Sequence, residues 1–239
     1  LLHNAADFAR SAGQGTTGEI CIGVEAPLAD LFLMNLLHEY QDTYSKVSVQ
    51  IILGSKTENI RRLTNREIDF AFVHRRPIGQ DYDLMNHSFN VNNLWSTRLY
   101  VMIPKTHALC AQKIISLTSL KSDRILVGDY GCENTVNDYQ EALKACISQH
   151  VQIDRHMVAR EALVNFVSLG YGVTFTGAPQ IFRNTKNITL KPIRGVVENL
   201  QYSGVWLPNN DNAALHKFIS LAKTMAQFEV SGFNRERPA

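Results

Sequence analysis

The sequence predicts an α/β fold of two lobes. Three observations carry that expectation: strand-sized apolar runs that alternate with helical stripes, two β-α-β successions early in the chain, and the absence of a Pro- or Ser-rich linker between its halves. Residues 1–12 place Leu2, Ala5, Ala6, Ala9 and Ala12 on one helical stripe, which breaks at Gly13-Gln14-Gly15-Thr16-Thr17-Gly18 and so reads as a helix end with a connector. Glu19 to Val24 is a β-rich run. From Leu28 to Tyr44, residues Leu28, Leu31, Phe32, Leu36, Tyr40 and Tyr44 recur at helical spacing, and Val47 to Leu53 is the next strand. After a turn at Gly54 comes Ser55-Lys56-Thr57-Glu58, an S-x-x-E capping box, then a helix with Ile60, Leu63 and Asn65, then a strand from Ile68 to Val73. Two such units in succession imply a parallel sheet covered on both faces.

The second half repeats the pattern without repeating the sequence. Leu99–Ile103, Ile125–Val127, Ile153–Val158 and Val173–Thr176 read as strands, with helices at about 134–148 and 160–169. The second of these helices ends at Gly170-Tyr171-Gly172, a left-handed stop. Leu200–Leu207 is a further strand, ended by Pro208 and the Asn209-Asn210-Asp211 turn. Ala213–Phe228 is a final amphipathic helix, and 229–239 reads as a frayed tail.

With 239 residues, 45% of them apolar, the chain can bury roughly 70% of its unfolded surface without staples. Its 24 basic and 22 acidic side chains leave a net charge of +2, too small a field to argue for nucleic-acid or membrane binding by these residues. The apolar runs fall short of the ~20 residues of a membrane span, and Leu1 to Phe8 lacks the basic and apolar regions of a secretory signal. Cys21, Cys110, Cys132 and Cys146 show no metal spacing and read as free thiols of a reducing compartment, with Cys21 in a buried strand. No nucleophile elbow, phosphate-cradling loop or zinc-protease motif occurs, so neither a catalytic site nor a cofactor or metal is implied.

Four segments, in order, resemble the regulatory domain of LysR-type transcriptional regulators. They are Gly18-Glu19-Ile20-Cys21-Ile22-Gly23; Gly54-Ser55 with its helix and Arg66-Glu67-Ile68-Asp69-Phe70-Ala71-Phe72; Leu99 through Pro104 to His107-Ala108-Leu109; and Val167-Ser168-Leu169-Gly170-Tyr171-Gly172-Val173. The chain departs from the family pattern at Ser45, Ala108 and Gly177, where proline is usual, and at Arg66, where glycine is usual. The resemblance implies two Rossmann-like lobes with mixed, mostly parallel sheets and an interlobe ligand cleft, as in type 2 periplasmic binding proteins. It places the end of a linker helix and a connector at 1–17, lobe I at 18–95 and 206–239, and lobe II at 96–205. It also implies a cytoplasmic, non-catalytic sensor of a small organic effector, one that dimerises by setting helix 28–44 against helix 134–148 of a second copy. DNA would be bound through a winged helix-turn-helix outside these residues. The alternative is a periplasmic solute receptor of a transporter, which shares the fold.

The candidate ligand residues are Glu25, Ala26, Ser55, Thr57, His74, Asn134, Thr135 and Glu161. Ser55 and Thr57 stand at a helix start, where free N–H groups favour an anion, although capping alone also accounts for Ser55. Glu25 and Ala26 follow the first strand; a glutamate there disfavours an unpaired carboxylate ligand unless a cation offsets it, which opens the way to an amine-bearing or zwitterionic effector. His74, before Arg75 and Arg76, is the residue of that group which family position turns toward the cleft. Asn134 and Thr135 begin a helix after the Gly128–Glu133 loop, and Glu161 pairs with Arg160 or faces the cleft. Cys132 and Cys146 lack an activating neighbour and are not expected to form a redox switch.

Overall fold

The computed structural model describes residues 11–25, 31–75, 88–128, 152–177, 182, 184–194 and 199–233. The chain forms two compact units, Leu1–Trp95 with Gln201–Ala239, and Ser96–Leu200.

In the first unit, β1 (Gly18–Val24) lies between β2 (Val47–Leu53) and β3 (Phe70–Arg75), parallel to both. Strand β11 (Asn199–Trp206) pairs antiparallel with β3, and β4 (Asn90–Arg98) closes the order β2-β1-β3-β11-β4. Because β11 is in register with β3 from Gln201 to Val205, those residues belong to the first unit, whereas the sequence reading assigned 96–205 to the second. Strand β3 is buried on both faces, as a central strand must be. Phe70 and Phe72 point to a layer formed by helices α1 (Leu31–Thr43) and α4 (Ala213–Phe233), where Phe218 packs edge-on against Tyr40, Phe70 and Phe72 at 5.1, 5.4 and 6.1 Å. Ala71 and Val73 point the other way, into a cluster with Ile60 and Leu63 of α2 (Lys56–Thr64) and with Ile68 and Val205. Tyr40 seals the first layer by donating its hydroxyl to the Ala214 carbonyl at 2.9 Å.

The second unit holds a four-stranded sheet and a two-stranded parallel sheet, in which 115–116, 188–194, 100–104 and 174–176 lie in that order and 124–128 pairs with 152–156. Its strands are β5 (Tyr100–Pro104), β6 (Ile115–Ser116), β7 (Arg124–Gly128), β8 (Gln152–His156), β9 (Thr174–Thr176) and β10 (Ile188–Arg194). Strand β10 runs antiparallel to β5 and parallel to β6, so the mixed character of the sheets is stronger here than in the first unit. Helix α3 (Arg160–Ser168) buries Leu163, Val164 and Val167 against Met102 and Leu126.

Strands β4, β6 and β10 are absent from the sequence reading. Asn90, Asn92 and Asn93 depress β-propensity in β4, β6 is two residues long, and Pro192 removes a ladder donor from β10. The final helix runs to Phe233, so 229–233 are helical rather than frayed. The helix read at 134–148 lies outside the described residues, as do Cys132 and Cys146. Among the described residues no helix is long and apolar enough to cross a membrane.

Three helices stop in the same way, with the N–H of one residue returning to the carbonyl three back and the next N–H to the carbonyl five back. The residues in the left-handed position are Gly15 (φ 70°), Gly170 (φ 82°) and Arg66 (φ 58°). A Cβ at Gly15 would stand 2.5 Å from the Ala213 carbonyl oxygen, so this glycine lets the connector lie flush on the start of α4.

Candidate functional site

The carboxyl ends of β2, β1 and β3 lie side by side, since Val24 is opposite both Leu53 and Phe72. This is the edge at which open α/β sheets place ligands. Glu25 follows β1, Gly54 and Ser55 follow β2, and His74 lies near the end of β3. The Gly54 N–H donates to the Val24 carbonyl at 3.0 Å, which ties the loop after β2 to the end of β1. A Cβ on Gly54 would stand 2.6 Å from Asn59 Oδ1, so a side chain there would push the loop off the sheet.

Ser55, 3% exposed, caps α2: its Oγ accepts from the Glu58 N–H at 3.1 Å, and its hydroxyl donates to no group among the described residues. The reciprocal half of the capping box is not made. Glu58 instead pairs with Arg61 and Arg62 at 2.9 and 3.2 Å, and this holds its carboxyl below the usual glutamate range. Arg62 also donates to the Leu53 carbonyl at 3.1 Å, fastening α2 to the end of β2. Thr57 is exposed on the first turn.

Glu25 is 1% exposed, and both of its carboxylate oxygens face His74: Oε1 accepts from the backbone N–H at 3.3 Å and Oε2 lies 2.5 Å from Nδ1. The parallel register of β1 and β3 brings together two residues 49 apart in sequence. Glu25 is therefore a paired carboxylate, with His74 at both of its oxygens. Ala26, Asn134 and Thr135 lie outside the described residues. Glu161 is exposed in the first turn of α3, whose N-cap, Ala159, makes no side-chain bond.

Sequence reasoning passed over Lys56 and Asn59, which are 5% and 0% exposed. They share a stripe with Ile60 and Leu63 at positions i, i+3, i+4 and i+7, and polar residues on a buried stripe were the available signal. Asn59 Nδ2 reaches the Gly54 carbonyl at 3.4 Å, while its Oδ1 has no partner among the described residues.

Two residues of the family-like motifs have structural work elsewhere. Asp69 accepts from the Cys21 N–H and from Asn210 Nδ2, both at 2.9 Å, and Asn212 beyond it caps α4 through the Ala214 N–H at 3.0 Å. His107 Nδ1 accepts from the Leu109 N–H at 3.1 Å, so its Nε2 carries the proton that bonds Asp123 at 2.8 Å. A depression of about 500 Å³ lies at the other end of the sheet, lined by Gly13, Gln14, Thr16, Ala213, His216 and Lys217, and takes in none of the candidate residues. Among the described residues no group of three or more His, Cys, Asp or Glu is placed to hold a metal.

Two α/β units, the second inserted in the sequence of the first, with polar groups at the carboxyl edge of parallel strands, define a two-unit protein of the open-sheet α/β class. The chain belongs to the LysR substrate binding domain family, whose profile matches residues 13–227. It is 23% identical over 174 residues to the transcriptional dual regulator GltC of Bacillus subtilis (strain 168), covering 73% of this chain and 55% of that protein. The chain thus spans about half the length of the curated relatives it matches. Its fold resembles CbnR, a LysR family transcriptional regulator, with a TM-score of 0.72 at 16% identity over 92% of this chain and 74% of that one. It likewise resembles the effector binding domain of BenM with benzoate, with a TM-score of 0.72 at 14% identity over 89% and 93% of the two chains.

Proposed function

We propose that this chain is the effector-sensing part of a LysR-type transcriptional regulator, and that a small polar organic molecule binds at the carboxyl edge of β1, β2 and β3. The observation that carries this reading is the buried Ser55 at the start of α2, on the same sheet edge as the Glu25–His74 pair. Such a site needs donors on rigid elements and neither a nucleophile nor a general base. Thr57, Ala26, Asn134, Thr135 and Glu161 complete the proposed set of contacts. The protein catalyses nothing in this reading, works in the cytoplasm, and reaches DNA through a further domain. BenM, a structure of which contains its effector benzoate, supports an organic acid as the kind of molecule to try first.

A ligand at 100 times its Kd raises stability by about 2.7 kcal/mol, which a thermal-shift screen of aromatic acids, amino acids and metabolites detects. The double variant Ser55→Ala, Thr57→Ala removes that shift and costs about 1–2 kcal/mol of intrinsic stability through the lost cap. Full ligand affinity in the double variant refutes the helix-start site.

We further propose a homodimer. Strand β2 is an edge strand with Ile51 and Leu53 exposed, and α1 exposes Met34, so this side of the first unit offers apolar surface to a second copy. Light scattering that shows only monomer at about 100 μM refutes it.

A further inference from the structure

We propose that Asn59 is a positioning residue of the effector site: from inside the protein it holds the Gly54–Ser55 turn and so fixes the start of α2 at the sheet edge, a role that rests on the effector-sensing reading. Asn59 is fully buried and shares its stripe of α2 with Ile60 and Leu63. Burial alone would favour a leucine of nearly the same shape there, because a buried polar atom without a partner costs free energy. Asn59 carries such an atom, since its Oδ1 has no partner among the described residues. Packing therefore does not account for the amide, and its other end shows what it supplies. Nδ2 can only donate and the Gly54 carbonyl can only accept, so their 3.4 Å contact fixes which way the amide faces and ties it to the turn.

Asn59 also fills a slot that two glycines leave. A Cβ on Gly54 would stand 2.6 Å from its Oδ1 and 3.2 Å from its Cγ, and a Cβ on Gly23 would stand 2.8 and 2.9 Å from the same two atoms. Gly23 lies in β1 and Gly54 follows β2, so one side chain bears on the ends of both strands at the edge where Glu25 and Ser55 emerge. The same short stretch is held by the Gly54 N–H on the Val24 carbonyl at 3.0 Å, by the Asn59 N–H on the Ser55 carbonyl at 2.9 Å and by Arg62 Nη1 on the Leu53 carbonyl at 3.1 Å. Two of these bonds are main-chain and the third comes from a half-buried arginine, whereas Asn59 grips the turn from the core. With the turn fixed in this way, Ser55 Oγ meets the Glu58 N–H, and the first turn of α2 keeps its place beside the end of β1.

The test needs no ligand. Asn59→Leu keeps the shape of the side chain and removes both the orphan oxygen and the donor. In the ¹⁵N-labelled 239-residue chain, hydrogen exchange is followed at the Gly54 and Glu58 amides, which bond the Val24 carbonyl and Ser55 Oγ. The Asn65 amide, bonded to the Arg61 carbonyl at the far end of α2, is the internal reference. Exchange is expected to be about ten-fold or more faster at Gly54 and Glu58 and unchanged at Asn65, with a urea midpoint within about 0.3 M of the parent's. Should the leucine variant fail to fold, Asn59→Ala repeats the comparison: its midpoint falls because it leaves a cavity, and the ratio of the Glu58 rate to the Asn65 rate still rises. Parental rates at Gly54 and Glu58, or a rise shared equally by all three amides, make Asn59 a packing residue and overturn the proposal. The thermal-shift screen tests the sensing reading separately. A compound from that screen that binds Asn59→Leu as tightly as the parent overturns the positioning role and leaves the sensing reading standing, whereas a loosened turn in a protein that binds none of the compounds removes the sensing reading and with it the site that Asn59 would serve.

Discussion

Replacing Arg66 by glycine should stabilise the first unit, against the usual expectation that glycine weakens a fold. Arg66 terminates α2 in left-handed backbone at φ 58°, with the Glu67 N–H returning to the Arg62 carbonyl at 2.8 Å and its own N–H to Leu63 at 3.0 Å. That conformation costs a residue with a Cβ roughly 1–2 kcal/mol. The side chain is exposed and makes no hydrogen bond or ion pair among the described residues, so little is lost with it. The wider unfolded ensemble of glycine takes back about 0.4–1 kcal/mol, leaving a net gain of about 0.5–1 kcal/mol. Urea unfolding followed by tryptophan fluorescence is a selective assay, because Trp95 and Trp206 are the only tryptophans and both lie in the first unit. With a typical urea dependence, the gain moves the midpoint up by about 0.3–0.5 M. Gly170→Ala is the reverse experiment in the second unit: a Cβ there meets nothing within 4 Å, so its loss of about 1 kcal/mol, read by circular dichroism, is purely backbone strain. An Arg66→Gly variant that unfolds at lower urea than the parent refutes the reasoning, and with it the idea that a side chain here is merely tolerated.

Asp69→Ala should cost about 2–3 kcal/mol in the same fluorescence assay, because it strands the Cys21 N–H and releases Asn210 beside the α4 cap; a loss under about 0.5 kcal/mol would show the network to be idle. His107→Ala should destabilise the second unit by about 1–2 kcal/mol by circular dichroism, since it removes the bonds to Asp123 and the Leu109 N–H, and Asp123→Asn should reproduce only part of that loss. Cys21 should alkylate slowly in the folded protein at neutral pH. Burial first, then the charges of Asp69 and Glu19, push its thiol up and thin out the thiolate, so mass spectrometry finding Cys21 modified as fast as in urea contradicts the structure.

The first unit was legible in the sequence where local signals agree. Val47–Leu53, the Gly54-Ser55 punctuation and the α2 stripe come from periodicity and capping chemistry acting within a few residues. Strand β4 was not legible, because its three asparagines read as loop and only pairing in the sheet makes it a strand. The candidate site divides along the same line. Ser55 was visible as a cap, and the structure keeps it one. Glu25 and His74 were visible singly, but their meeting depends on the parallel register of β1 with β3, and no window of sequence contains it. That register supplies the cationic or polar partner of Glu25 that the sequence alone leaves open.

The order of the first sheet also bears on how such a molecule can be built or taken apart. The chain leaves the first unit after Trp95 in β4 and comes back at Gln201 in β11, and β4 and β11 are hydrogen-bonded neighbours. In genetic terms the whole of Ser96–Leu200 is an insert spliced between two adjacent strands of one sheet. Excising it and bridging Trp95 to Gln201 with a short loop is expected to leave Ser55, Glu25 and His74 on one sheet edge, and circular dichroism of that variant is the check. The same seam is where a different insert would be grafted.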